Sequence, residues 1–193
     1  MPRGRRVNSN GERSKQLLLS KAIELFSING YYETKISDIV KSADLTQPTF
    51  YLYFQSKESL YKDLNEQFKV DFFKIVNKEL DSSKGIVENI QLKLVDIFNY
   101  FLENPNLTKI GFYDSEYAPL LKEEFSNVVM EMLKDKANLF VRENMDVKIY
   151  AECFIGSIER LSFTKLLTGK RSPEQLASDI VNIFFVYEKE PAL

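Results

Sequence analysis

The 193-residue chain contains no histidine and a single cysteine, Cys153. Without histidine there is no imidazole general base, no Ser-His pair and no histidine metal ligand. One cysteine makes no intramolecular disulfide, fits a reducing compartment, and cannot form a thiolate cluster for zinc or iron–sulfur. The seven glycines are scattered and build no phosphate-cradling loop of the P-loop or dinucleotide type. No run approaches the roughly 20 apolar residues that span a bilayer, and the N-terminal arginines precede no signal-peptide core. No pairing of acids stands out for carboxylate chemistry. A cytoplasmic, non-enzymatic protein with no cofactor and no membrane partner is expected.

An apolar fraction of 44% with 28% charged residues is ordinary for a globular chain. The net charge of −2 is unevenly divided. Residues 1–57 hold nine Lys/Arg against five Asp/Glu, and residues 58–193 hold seventeen against twenty-three. A basic front on an acidic body orients a molecule toward a polyanion.

The apolar spacing is helical nearly throughout. After a basic, polar stretch over residues 1–12 that reads as disordered, Leu18, Ala22, Leu25 and Phe26 fall on one stripe, ended by Asn29-Gly30. Thr34 is positioned to cap a short helix with Ile36, Ile39, Val40 and Ala43 inward. Asp44-Leu45 turns the chain, and Thr46 caps a second short helix from Gln47 to Tyr53. Ser56 caps a long helix from Lys57 to about Leu80. Further helices are expected over 86–103, 106–113, 119–143, 146–167 and 173–188, the last opened by Ser172-Pro173. This is an all-α architecture of about nine helices, with no credible strand. The domain boundary is placed after Lys57: a disordered arm over 1–12, a three-helix head over 13–57 and a larger body over 58–193.

Two short helices around a tight turn, the second with polar tips at its N-terminus, suit insertion into a DNA major groove. The head resembles the tetracycline-repressor-like (TetR) family. The likeness is carried by Ala22-Ile23-Glu24-Leu25-Phe26, Gly30-Tyr31, Thr34-Lys35-Ile36-Ser37-Asp38-Ile39, Ala43 and Thr46. It continues through Thr49-Phe50-Tyr51, Tyr53-Phe54 and Ser56-Lys57-Glu58 ahead of Leu60, and covers about residues 13–62. Two positions depart from the family pattern, Asp44 and Pro48 standing where glycine is usual. Aspartate tolerates left-handed geometry, and proline in a first helical turn loses no partnered N–H.

The resemblance implies a three-helix DNA-reading head on a ligand-binding, dimerising body. By position, Gln47 and Thr49 are the candidates for base edges and Pro48 for a thymine methyl, while Tyr51 and Tyr53 resemble the family's phosphate-contacting and scaffold tyrosines. Thr34, Thr46 and Lys57 stand at helix N-termini, where backbone N–H groups favour a phosphate. Arg3, Arg5 and Arg6 form a candidate minor-groove arm, with a solvated tail as the alternative. In the body, Phe72, Phe98, Phe101, Phe112, Tyr113, Tyr117 and Phe125 are candidates for an aromatic-lined effector pocket, and Glu152, Glu159 and Arg160 for orienting a polar ligand end. Phe154, Gly156, Ile158, Leu161, Ile180, Ile183, Phe184 and Tyr187 resemble the family's dimerising helix pair.

The function implied is a homodimeric regulator, most simply a repressor, released from a palindromic operator on double-stranded DNA by a small hydrophobic or aromatic effector. Two alternatives stay open: a chromosome-organising or division-control protein of the same fold without an effector, and a helical enzyme or lipid carrier with a vestigial head. If the N-terminal arm binds DNA, neutralising Arg3, Arg5 and Arg6 lowers the salt dependence of binding by roughly one slope unit for each phosphate that is no longer engaged. Salt titrations with an unchanged slope would exclude the arm.

Overall fold

The computed structural model of the chain describes residues 9–134 and 146–185. Among the described residues there are nine α-helices and no strand, so the all-α expectation holds. The helices are α1 (Ser9–Asn29), α2 (Ile36–Ser42), α3 (Gln47–Tyr51), α4 (Lys57–Val76), α5 (Ile86–Glu103), α6 (Pro105–Thr108), α7 (Ala118–Leu133), α8 (Val147–Leu161) and α9 (Pro173–Phe184). Two π-helical turns, Lys109–Asp114 and Ser162–Leu166, prolong α6 and α8.

The chain divides into two compact units. The first comprises residues 1–68 with 106–115, the second residues 69–105 with 116–193. Unit one closes around Leu18, Ala22 and Phe26 of α1, Ile39 and Val40 of α2, Phe50 of α3, and Leu60, Leu64 and Phe68 of α4, all buried. The segment after α5 returns to this unit. Ile110 and Phe112 of its π turn are buried, and the Lys109 ammonium donates to the Ser27 carbonyl at the end of α1. Gly111 is required there by proximity: a Cβ at this position would lie 2.5 Å from Cδ1 of Phe68, a side chain with no exposed surface to retreat into.

Unit two packs α9 on α5 and α7 on α8. Phe72, Phe101 and Phe125 form its aromatic centre, Phe72 stacking on Phe101 at 6.2 Å and meeting Phe125 edge-on at 5.1 Å. Such offset and T-shaped pairs add to area burial about 0.5–1.5 kcal/mol each. Asn89 organises the loop before α5: its side-chain oxygen accepts from Asp81 N (2.8 Å) and its amide donates to the Asp81 and Gly85 carbonyls. The Tyr150 hydroxyl donates to the Phe184 carbonyl, and burial pushes its pKa up to about 12.

Several boundaries differ from the sequence expectation. α1 begins at Ser9, so residues 9–12 are helical rather than disordered. α3 stops at Tyr51 and α4 at Val76, short of Tyr53 and Leu80. Leu80 is 42% exposed and offers no core contact to prolong the helix. Pro105 opens α6 instead of only ending α5, because proline at a first helical position forfeits no partnered N–H. The caps at Asp146 and Ser172 form as expected: Asp146 accepts from Lys148 N (2.7 Å), and Ser172 exchanges bonds with Gln175. The expected continuation of α7 to Glu143, Tyr187 in the last helix, and Arg3, Arg5 and Arg6 lie outside the described residues.

Replacing Gly111 with alanine forces Phe68 or the π turn to move. Urea denaturation is expected to show a loss of about 1–3 kcal/mol. Unchanged stability would contradict the close packing of that turn on α4.

Candidate nucleic-acid interface and body cavities

Each end of α2 is fixed by a short-range device. At its start, the Asp38 carboxylate accepts from Lys35 N at 3.1 Å, so Lys35 is the capping position. This corrects the expectation for Thr34. The Thr34 side chain is fully buried, and its hydroxyl donates to the carbonyls of Gly30 (2.8 Å) and Leu25 (3.3 Å), tying the α1–α2 turn instead of capping α2 or facing outward. At the other end Leu45 N bonds to Val40 O and Asp44 N to Lys41 O. Asp44 holds φ of 53°, the left-handed residue that this C-terminal motif demands.

Thr46 then caps α3, its side-chain oxygen accepting from Thr49 N at 3.4 Å while the two threonine hydroxyls pair at 2.9 Å. Phe50, fully buried, anchors the inner side of α3 and packs on Phe54 at 5.5 Å. With that side fixed, Gln47 and Pro48 are exposed, Thr49 and Tyr53 half-buried, and Tyr51 is 56% exposed. Leu52 is 77% exposed, one turn beyond Pro48, and sequence reasoning missed it. Its spacing, four residues after an outward position, is the signal that could have found it.

Lys57 takes a different part from the one expected. Its ammonium donates to the carbonyls of Tyr31 (2.8 Å) and Thr34 (2.9 Å) and lies 4.3 Å from the centre of the Tyr31 ring. The side chain thus closes the α1–α2 turn against the start of α4. Ser56 and Ser59 exchange backbone-to-hydroxyl bonds at 3.1 and 3.2 Å and cap that start. Hydrogen bonds from the Ser56 hydroxyl, its own backbone N–H and the Tyr31 hydroxyl hold the Glu58 carboxyl below its ordinary range. Between the first turns of α2 and α3 runs an open groove of about 390 Å³, lined among others by Lys35, Ser37, Gln47, Tyr51 and Gln55. Lys35, Ser37 and Gln55 are exposed there. They join the face on geometry alone, although Lys35 and Ser37 were legible as outward positions beside the inward Ile36 and Ile39. The face offers hydrogen-bonding tips at groove depth with a cation and helix N-termini at its edge, the complement of base edges flanked by phosphates.

The body shows two separate hollows in unit two. An apolar cavity of about 30 Å³ is bounded by Val76 of α4, Ile90, Lys93, Leu94 and Ile97 of α5, Phe125, Val128, Val129 and Met132 of α7, and Phe154 of α8. A wider cleft of about 300 Å³ runs between α7 and α8, past Lys122, Ser126, Lys148, Glu152, Gly156 and Glu159. The expectation of one aromatic-lined pocket is corrected accordingly. Phe72, Phe98 and Phe101 are packed into the core, and only Phe125 of that set borders the apolar cavity. Phe112 and Tyr113 belong to unit one, and Tyr117 is 38% exposed. Glu152 and Glu159 face the outer cleft, paired with Lys148 and Lys122, and Arg160 is exposed.

The expected dimer face is redistributed in the same way. Phe154, Ile158 and Ile180 fill the core of unit two itself, and Leu161 and Phe184 are half-buried. Gly156 and Ile183 are exposed as an interface requires. Ile149, Cys153, Gly156, Arg160 and Phe163 form one exposed stripe at i, i+4, i+7, i+11 and i+14 along α8 and its π turn.

Residues 18–64 match the model of the bacterial regulatory proteins of the tetR family. The chain is 35% identical over 182 residues to the HTH-type transcriptional regulator YdgC of Bacillus subtilis (strain 168), spanning 92% of this chain and 93% of that protein. It is 21% identical to the fatty acid metabolism regulator protein of the same organism, over 80% of this chain and 84% of that one. A crystal structure of a TetR-like transcriptional regulator from Rhodococcus sp. RHA1 superposes with a TM-score of 0.74 at 16% identity, covering 88% of this chain and 92% of that one.

Replacing Lys57 with methionine leaves the Tyr31 and Thr34 carbonyls without their donor. A stability loss of about 1–3 kcal/mol is expected in urea unfolding. If Lys57 served only as a phosphate contact, stability would be unchanged and the salt slope of DNA binding would fall by about one.

Proposed function

The chain belongs to the tetR family of bacterial regulatory proteins, and from that premise we propose that it is a homodimeric repressor released from its operator by an apolar effector. DNA binding and transcriptional regulation come with the family. The operator symmetry, the effector and the direction of regulation are the parts proposed.

The observation that carries the proposal is α4. It is one uninterrupted helix whose first residue, Lys57, clamps the turn behind the recognition helix and whose last residue, Val76, borders the apolar cavity. An effector that enlarges that cavity acts on the end of the helix that starts at the DNA-reading head. A preference of roughly 3–5 kcal/mol for the released state is enough to clear most operators. The name of the 21%-identical relative, a fatty acid metabolism regulator, agrees with an apolar effector.

On DNA, Gln47 supplies a donor and an acceptor that match adenine, and Thr49 a hydroxyl. Pro48 and Leu52 present apolar surface to thymine methyls, and Tyr51, Tyr53 and the Thr46 N-terminus contact phosphates. The exposed α8 stripe with Ile183 of α9 supports a two-fold interface. A two-fold dimer reads half-sites about one helical turn of DNA apart, or slightly more.

Genomic fragments captured by the purified protein and sequenced test this reading, with a Gln47→Ala/Tyr51→Ala variant alongside. A few palindromic sites close to promoters are expected for the natural sequence, lost in the variant. Many dispersed sites, or no specific capture, would overturn it.

A further inference from the structure

The apolar cavity of unit two has a single charged residue among its described lining, Lys93, whose ammonium is bonded at the cavity's edge. That group reaches past the cavity to the end of α4, donating to the Val76 carbonyl at 2.9 Å and to the Lys78 carbonyl. Val76 is the last residue of α4 and Lys78 lies two residues beyond it, where carbonyls have no intrahelical donor and favour a cation. The neighbouring acid, Asp96, is ion-paired with Lys78 at 2.8 Å and acts on Lys93 only through its charge. Lys93 is therefore a half-buried cation whose hydrogen bonds go to carbonyl dipoles, with the Asp96 charge nearby. Burial, with Lys78 nearby, lowers its pKa.

The remaining lining has no hydrogen-bonding side chain. Ile90, Leu94, Ile97, Val129 and Phe154 close the inner wall, and Met132, half-buried and unbranched, stands at the rim. At about 30 Å³ the space holds roughly one water, and its almost wholly apolar lining suits an apolar chain better than water. Methionine at an opening adapts to ligands of different width. The shape and chemistry call for an amphiphile: a slender apolar chain in the hollow and a negative charge at its mouth.

Building on the effector-release reading, we propose that Lys93 anchors the anionic head of a long-chain carboxylate or other alkyl anion. The anion takes the ammonium away from the Val76 and Lys78 carbonyls at the end of α4. A full negative charge is a stronger acceptor for an ammonium than a carbonyl, so the exchange is favourable once the chain is seated. The Val76 and Lys78 carbonyls then lose their cap, and the last turn of α4 loosens. Occupancy of the cavity is thus coupled to the order of the helix that leads to the DNA-reading head.

Calorimetric titration of the full-length protein with dodecanoate, dodecyl phosphate, dodecanol and dodecyltrimethylammonium tests the anchor. Both anions are expected to bind on the order of tenfold or more tightly than the alcohol, and the cation not at all. A tighter fit of one anion identifies the head as carboxylate or phosphate. Lys93→Met is expected to erase the advantage of the anions, and Lys93→Arg to retain it. As a check that does not depend on the variants folding, amide hydrogen exchange over residues 74–80 of the natural protein is expected to quicken with dodecanoate. Equal affinity for anion and alcohol, with operator release by both, would overturn the anchor while leaving the effector reading intact. Binding of none of the four by protein that still captures its operator would overturn the anchor as well. Failure to capture an operator at all would instead strike the regulatory reading itself.

Discussion

The ammonium of Lys57 is the constraint on which the DNA-reading head depends. It sits beneath the α1–α2 turn, bonded to two carbonyls and lying over the Tyr31 ring, and it is the first residue of α4. A turn that carries carbonyls inward needs a donor, and a half-buried cation with three N–H bonds supplies it at a single point. Thr34 completes the arrangement from the opposite side by returning its hydroxyl to Gly30 and Leu25. With the turn and the start of α4 locked together, α2 is set by its own capping bonds and α3 by the buried Phe50. With Phe50 buried on one side of α3, Gln47, Pro48 and Tyr51 are left exposed on the other.

A second lysine plays the complementary part at the other end of the same helix. Lys93 closes the C-terminal carbonyls of α4 as Lys57 closes the turn at its N-terminus. The two cations differ in their surroundings: aromatic ring and polar turn for Lys57, an apolar hollow for Lys93. On the effector-release proposal, a bond that a charged ligand can outcompete is what the C-terminal end of α4 calls for. The Gly111 contact with Phe68 adds a further constraint on α4 within unit one, again by close packing with no slack.

Much of this was legible in the residues. The helix succession, the caps at Thr46, Asp146 and Ser172, the left-handed turn at Asp44 and the exposed Gln47 and Tyr51 follow from local chemistry, which a sequence displays directly. The failures have one cause. Thr34 and Lys57 are both polar residues placed where a helix begins, and local chemistry there suggests capping or phosphate binding. Their partners lie 4–9 and 23–26 residues away, and only the folded turn reveals them. The body misleads for the same reason. Periodicity marks Phe72, Phe98 and Phe101 as inward but does not separate a ring that lines a cavity from one that fills it. Likewise Phe154, Ile158 and Ile180 look like a surplus of apolar surface in the sequence, whereas α5, α7 and α9 consume it in one core. The two π turns left no periodic trace, since each inserts one residue into an otherwise helical pattern.

Coupling between the body and the DNA-reading head is the central claim, and it reduces to a distance. With a nitroxide on each protomer of a Cys153→Ser/Lys41→Cys protein, pulsed electron resonance reports the separation of the two heads at the exposed end of α2. Bound to operator, the pair is expected to give one narrow distribution, set by half-sites about one turn of DNA apart. Saturating effector is expected to shift it by several ångström and broaden it as the operator dissociates. A distribution that stays unchanged while effector binds and operator is released would contradict the coupling through α4.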